Sequence, residues 1–465
     1  MLLVAGHQDT KSRGHPPPIR SIMPILIAKL CLSRHKYRVY LTCTLNYTET
    51  LIMYVNRAIK ESFLKSNNFF PVILLTGPRQ VGKTTFLKNA AEPERKYVSL
   101  DNHAFLSLAR NDPQAFLERF SPPVLIDEIQ YAPELLPYIK IAVDQARYDN
   151  LSNNLESPGG MFWLTGSQQF ELMRGVTESL AGRVGILNIQ GFSQCELEKR
   201  KNIPFLPANK ATDIETEMTV LDYYKTIWLG SFPQLLTAPD KENYREEFYS
   251  SYIQTYLERD VRDILQVSNL ETFYNFLRAV TARSGQLLNY SNLARSVDIS
   301  VPTAKSWINI LRTSGMIYLL EPYHNNQLKR MIKTPKPYVL DTGLCAYLGN
   351  WHTPEILESG AIAGEIFETW CFSEILKSYI NAGKRPVFSF YRDNDQREID
   401  LIIEENGIIY PIEFKKTTCP KRNSMRHFKA LERTNLQLGP GAVICTSKIQ
   451  LPLTENCQTI PAVFI

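Results

Sequence analysis

The chain has no CxxC pair, and its eight cysteines and seven histidines stand singly. That excludes a zinc ribbon and a dense disulfide framework, and leaves reduced thiols in a cytoplasmic protein as the reading. Long apolar runs are also missing. The longest near the N-terminus, residues 22–32, is broken by Pro24 and Lys29, well short of the ~20 residues that cross a bilayer. Excess charge is lacking over most of the length. Lys11, Arg13, Arg20, Lys29, Arg34, Lys36 and Arg38 against Asp9 and Glu49 give residues 1–52 the whole of the net +5, so residues 53–465 balance at zero. The basic balance therefore names no polyanion by itself, and any nucleic-acid surface has to come from local patches. What is present is ample apolar material, 44% with 11% aromatic, which rules out global disorder. At ~150 residues per domain the length points to about three domains.

Residues 1–52 differ from the rest. Pro16-Pro17-Pro18 breaks any helix and no period follows. No small-residue cleavage site stands close behind the apolar stretch, which argues against a secretory signal, while an Arg-rich transit peptide stays open. The preferred expectation is a tail or a mis-assigned start, with Met53 as the alternative first residue. From there the pattern becomes orderly. Residues 57–64 read as a helix, 72–75 as a buried strand and 83–90 as the next helix. Apolar runs at 97–100, 124–126, 162–164 and 184–189 alternate with helical stretches, the signature of an α/β fold with a mostly parallel sheet.

Gly77-Pro78-Arg79-Gln80-Val81-Gly82-Lys83-Thr84 matches GxxxxGK[ST] between a strand and a helix. The glycines let backbone N–H groups curl around phosphate oxygens, and the helix start adds positive potential. Residues Gly77 to Thr84, with Thr85, are therefore the expected ATP-binding loop. Lys83 reaches the β/γ phosphates and Thr84 ligates Mg²⁺. Residues 123–128 end an apolar strand in Asp127 and Glu128. The first is expected on the Mg²⁺ shell, and the second beside the attacking water as general base. After the strand at 162–164, Ser167 or Gln168 is a candidate γ-phosphate sensor, with a plain strand-to-loop turn as the alternative. Arg183 is a further sensor candidate, in its own subunit or a neighbour's, with a structural ion pair as its alternative.

These stretches, with residues 97–101, Gly230-Ser231-Phe232-Pro233, 252–263 and 282–289, resemble a prokaryotic family of AAA-type P-loop ATPases. In that family the ATPase domain is fused to a C-terminal region of unknown function. The resemblance covers about residues 53–465. It implies a P-loop core of the class with a catalytic Glu after the metal-binding Asp, and no known substrate.

Residues 291–297, a turn at 298–300 and a helix from Val301 form a helix-turn-helix pattern, with Ser291 at the first N-cap and Pro302 near the second start. Residues 316–320 and 338–340 complete a winged-helix reading. Thr303, Lys305, Ser306 and Asn309 fall on its exposed face. Lys329, Arg330, Lys333 and Lys336 lie in an acid-free stretch, 324–338, suited to the phosphates of double-stranded DNA. A winged helix used for packing, or a solvated basic loop, is the alternative. Farther on, Glu365 and Glu368 share a helix face, Asp400 lies on a strand, and Glu413 and Lys415 stand two apart on another. These are the parts of a PD-(D/E)xK nuclease-like metal site. Glu368, Asp400 and Glu413 would hold Mg²⁺ or Mn²⁺, and Lys415 would steady the nucleophile or the developing charge. Surface charge on a hairpin, or a retained fold without cutting, are the alternatives.

The expected organisation is an extension (1–52), an AAA-type P-loop ATPase domain (53–195), a helical connector (196–285), a winged-helix-like domain (286–345) and a restriction-endonuclease-like α/β domain (346–465). The function read from it is an Mg²⁺-dependent ATPase driving a DNA-binding, DNA-cutting half. A nucleotide-gated switch without cleavage is its rival. ATP, DNA and self-association are the expected partners, and a membrane is not. Because residues 1–52 show no periodic core face, we predict that truncation to Met53 leaves ATP turnover and the melting temperature unchanged; lost solubility or a large drop in melting temperature would contradict this.

Overall fold

The computed structural model describes residues 54–153, 155, 158–166, 175–176, 178–208, 215–256, 270–323, 334–433 and 436–465. The expectations for residues 1–52 lie outside them. Contacts divide the chain into Met1–Thr50 and Leu51–Ile465, and the fold described is that of the second unit. It is α/β.

Five parallel strands form the first sheet: β1 (Val72–Thr76), β2 (Lys96–Ser99), β3 (Val124–Asp127), β4 (Phe162–Gly166) and β5 (Val184–Asn188), in the order β2-β3-β4-β1-β5. The three central strands read as unbroken apolar runs because both faces are covered. Successive side chains go opposite ways. Val72, Leu74, Val124, Ile126, Phe162 and Leu164 enter one core, closed by α3 (His103–Asn111), α4 (Pro113–Arg119) and α5 (Leu135–Ser152). Ile73, Leu75, Leu125, Trp163 and Leu187 enter the other, with Phe63 of α1 (Lys60–Phe69) and Phe86 of α2 (Lys83–Ala90). Phe63 meets the rings of Phe86 and Trp163 edge-on at 5.2 and 4.8 Å.

This second core does not stop at the sheet. It runs on through Tyr223 of α6 (Val220–Leu229), Tyr249 of α7 (Lys241–Tyr256), Phe276 of α8 (Leu270–Thr281) and Trp307, into the C-terminal part. There α9 (Tyr290–Ser296) and α10 (Val301–Thr313) flank a turn, and an antiparallel pair follows, β6 (Ile317–Leu320) with β7 (Lys336–Val339). The N-cap of the helix-turn-helix lies two residues earlier than expected. Asn289, not Ser291, is the N-cap, because its extended backbone lets the side chain accept from Asn292 N–H while Tyr290 is already helical. Strand β7 likewise starts at Lys336, ahead of the expected residue 338.

After α11 (Thr342–Leu348), the long α12 (Ala363–Asn381) is buried on nearly every side, as its apolar composition requires. A mixed sheet covers it: β8 (Val387–Arg392), β9 (Glu398–Glu405) and β10 (Ile408–Lys415) as an antiparallel meander, then β11 (Gln437–Leu438), β12 (Gly441–Cys445), β13 (Pro452–Thr454) and β14 (Cys457–Pro461), with β12 parallel to both β10 and β14. Polar links tie α12 back to the segment that follows β5. Lys377 Nζ donates to Phe192 O at 2.9 Å, and Glu374 accepts from Gln194 N–H at 2.8 Å. Among the described residues no helix is long and apolar enough to cross a membrane.

Candidate functional site

The loop after β1 is shaped by backbone that only certain residues tolerate. Gly77 has φ +151, and a Cβ there would sit 2.1 Å from the Ile189 carbonyl oxygen, so only glycine fits. Gln80 (φ 60) and Gly82 (φ 87) complete the turn, and Gly82 is the N-cap of α2. Lys83 is buried inside the loop and donates to the carbonyls of Gly77 and Pro78 at 3.0 and 2.8 Å. Thr84 and Thr85 form the first turn of α2 beside it.

Strand β4 lies between β1 and β3, so its end meets the ends of both. Thr84 Oγ1 lies 3.0 Å from each oxygen of the Asp127 carboxylate. Thr165 of β4 donates a very short hydrogen bond to the same carboxylate, and Tyr97 OH reaches it at 3.1 Å. Burial, and then the charge of Asp127, push the Tyr97 phenol up to about 12, so it stays a donor. A hydroxyl and a carboxylate converging at the helix start are the hard oxygen donors that suit Mg²⁺, and Thr84 and Asp127 would hold it. Bound there, the ion would neutralise phosphate charge. Glu128 follows in the left-handed region (φ 59), a position that costs roughly 1–3 kcal/mol for a side chain of this kind and gathers at functional sites. Its N–H donates to Thr165 Oγ1 at 3.4 Å, and its carboxylate accepts from Gln130 Nε2 at 2.5 Å.

The sensor candidates separate. Ser167, with Gln168, lies outside the described residues. Arg183 grips Asp144 of α5 with two hydrogen bonds, 2.6 and 2.9 Å, and holds that carboxyl below its ordinary range. On α10, Lys305, Ser306 and Asn309 are exposed on one face with Arg312, which donates to Asn309 at 2.9 Å. Thr303 is half-buried and bonded to its cap, Ser300. Lys329, Arg330 and Lys333 lie outside the described residues. Lys336 does not belong to an exposed basic patch. It is 2% exposed, because β7 turns it inward beside Tyr338 to face α12 and β9.

The C-terminal residues do converge. Lys415 Nζ is 2.7 Å from Glu413 and 3.8 Å from Asp400, whose other contact is the Phe414 N–H at 2.9 Å. Glu368 of α12 accepts from Tyr338 OH at 2.5 Å and lies 3.4 Å from Lys336 Nζ. Glu398 lies 2.6 Å from both Lys336 and Arg392. Burial first, then the charge of Asp400, push the Glu413 carboxyl up to about 8 against the pull of Lys415. Burial lifts Glu368 to about 7 against the pull of Lys336. Lys336 itself is raised: burial would lower it, but Glu368, Asp400 and Glu398 outweigh that. The expected Mg²⁺ or Mn²⁺ site at Glu368, Asp400 and Glu413 is not shown by this arrangement. Every carboxylate already has an N–H, an O–H or an ammonium, and among the described residues no three His, Cys, Asp or Glu are gathered to hold a metal.

Comparison with known proteins adds three matches along the chain. Residues 69–198 match an AAA domain. Together with the loop geometry, this supports a P-loop AAA-type ATPase. Residues 220–355 and 363–465 match two domains of unknown function, DUF8612 and DUF4143. Uncharacterized proteins of Mycobacterium bovis and Mycobacterium tuberculosis are each 28% identical over 396 residues, 84% of this chain and 80% of theirs. Solved structures that match include a Walker-type ATPase of Pyrococcus abyssi (18% identical, 62% of this chain and 94% of that one, TM-score 0.39). The ORC2 protein of Aeropyrum pernix is another (12% identical, 57% and 88%, TM-score 0.29).

Three residues of these sites carry no sequence signal that names their role. Arg57, 5% exposed, donates to Val81 O at 2.7 Å inside the loop, to Gln190 O at 2.6 Å and to Glu196 at 2.9 Å. Gln130 holds the Glu128 carboxylate, and Lys336 enters the C-terminal cluster. Spacing within one element does not find Arg57 or Lys336, which reach partners on other elements.

The raised carboxyls have a pH consequence. A carboxyl whose folded value lies above its ordinary 4.5 binds its proton more tightly when folded. Its contribution to stability is full below that ordinary value and is lost as pH rises through about 8. We therefore predict that, in metal-free buffer, the melting temperature falls as pH rises from about 5 to about 8, and falls less in Glu413→Gln. Equal slopes in the two proteins would refute the assignment.

Proposed function

We propose that the protein is an Mg²⁺-dependent ATPase that works as a nucleotide-gated switch, with a DNA-binding helix-turn-helix as its output. The observation that carries this reading is the seat of the nucleotide loop. Pro78 packs on Gly315, just past the end of α10: a Cβ on Gly315 would lie 3.1 Å from Pro78 Cγ. A second route runs in parallel. Ser231 O accepts from Phe192 N–H at 2.7 Å, Ser231 N–H and Oγ donate to Asp341 at 2.7 and 2.8 Å, and Leu340 N–H donates to Met316 O at 2.9 Å. The loop thus bears on the helix-turn-helix both directly and through residues 190–192. A phosphate that reshapes the loop would displace packed atoms, which have discrete arrangements rather than free play.

In this reading Lys83 binds the β/γ phosphates, Thr84 and Asp127 hold the ion, and Glu128 is the base, oriented by Gln130. The exposed face of α10, with Lys305, Ser306, Asn309 and Arg312, meets double-stranded DNA, where the lysine and arginine contribute phosphate contacts. The buried Lys336 ammonium on Glu368 and Glu398 favours a switch over a nuclease.

Lys83→Ala is expected to abolish hydrolysis and weaken ATP binding. Glu128→Gln is expected to bind ATP normally and lower turnover by roughly 10²-fold or more, the scale of general-base catalysis. Turnover with and without duplex DNA, and plasmid nicking in Mg²⁺ or Mn²⁺, complete the test. Wild-type hydrolysis by Glu128→Gln would remove the base assignment. Nicking that Asp400→Ala abolishes would replace the switch with the nuclease.

A further inference from the structure

The C-terminal cluster draws on two different segments. Its carboxylates, Glu368, Glu398, Asp400 and Glu413, all lie within residues 363–465. Lys336 lies in the preceding matched segment, 220–355, on the β6–β7 hairpin. Its ammonium, 2% exposed, sits 2.6 Å from Glu398 and 3.4 Å from Glu368, with the Phe390 ring 5.3 Å away. Tyr338, two residues on and therefore on the same face of β7, donates to Glu368 and stacks on Phe372 of α12 at 4.1 Å. A buried ammonium is costly unless paired, and buried carboxylates repel one another unless a cation joins them. Each solves the other's problem here, across a boundary between two segments.

We propose that Lys336, beside the Lys415 already paired with Glu413 and Asp400, is the cation that Glu368 and Glu398 hold, so that the cluster takes an ammonium from the neighbouring segment in place of a divalent metal ion. The geometry makes Lys336 a tethered plug. While the hairpin is docked, the oxygens of Glu368 and Glu398 face Nζ, and a metal would have to displace it. The same contact latches the hairpin that follows α10 to the C-terminal sheet. Removing the ammonium frees the oxygens of Glu368 and Glu398, hard donors of the kind that Mn²⁺ and Mg²⁺ take.

The test counts Mn²⁺ bound to the full chain by electron paramagnetic resonance, without nucleotide, in wild type, Asp400→Asn, Lys336→Met, Lys336→Arg and the double variant Lys336→Met/Asp400→Asn. Any Mn²⁺ at Thr84 and Asp127 is common to all five and cancels. Wild type, Asp400→Asn and Lys336→Arg are expected to bind alike. Lys336→Met is expected to bind one Mn²⁺ more per chain, and the double variant to lose it. Melting is read in parallel: Mn²⁺ should raise the melting temperature of Lys336→Met, or refold it if it does not fold alone, and leave wild type unmoved. Wild type binding more Mn²⁺ than Asp400→Asn would overturn the proposal. So would a Lys336→Met protein that gains neither an ion nor stability from Mn²⁺.

Discussion

A single buried guanidinium sets the geometry on which the rest is built. Arg57 joins four parts of the chain: the segment before α1, the nucleotide loop at Val81, the exit of β5 at Gln190, and Glu196, whose carboxylate also caps the backbone of Ser193 and Ala58. Its Nε is 2.9 Å from Glu196, and both side chains are almost fully buried. Such a pair adds little net stability over an apolar one, but losing either partner leaves a buried charge and costs about 3–5 kcal/mol. What it contributes is placement. It fixes one wall of the loop against the far edge of the sheet, so the loop is a defined surface before any phosphate arrives.

The helix-turn-helix unit also packs on that loop. Pro78 against Gly315, and Ser231 between Phe192 and Asp341, make the nucleotide loop part of an interface between two segments. Asp341 is spent wholly on this junction: it accepts from Ser231, from Tyr249 OH at 2.8 Å and from Leu344 N–H at 2.8 Å. The next segment is joined in the same style, by a buried charge reaching across: Lys336 into Glu368 and Glu398, and Lys377 to the Phe192 carbonyl. The ATPase domain, the helix-turn-helix and the C-terminal sheet thus share one apolar core pinned by directional polar contacts.

The nucleotide site was legible because its chemistry is local. Eight consecutive residues specify the loop, and Asp127 and Glu128 end a strand whose apolar run announces it. The structure keeps α2 at the predicted 83–90 and moves the strand boundaries by only one or two residues. The C-terminal residues Glu368, Asp400, Glu413 and Lys415 were also legible, since strand alternation and helix spacing put them on facing surfaces. Charge partnership was not. Lys336 read as one of a basic run because no acid stands near it in sequence; its partners lie 32 and 62 positions on. Arg57 was invisible for the same reason, with its contacts 24, 133 and 139 residues away. Such pairings exist only after the strands have packed.

The central claim is that the state of the nucleotide loop is felt in the helix-turn-helix. Amide hydrogen exchange of the full chain, compared without nucleotide, with ADP and with a non-hydrolysable ATP analogue, tests it most directly. The account predicts that protection changes with nucleotide across residues 310–320 and 340–344 as well as in the loop itself. Changes confined to residues 69–198, with the helix-turn-helix identical in all three states, would contradict it.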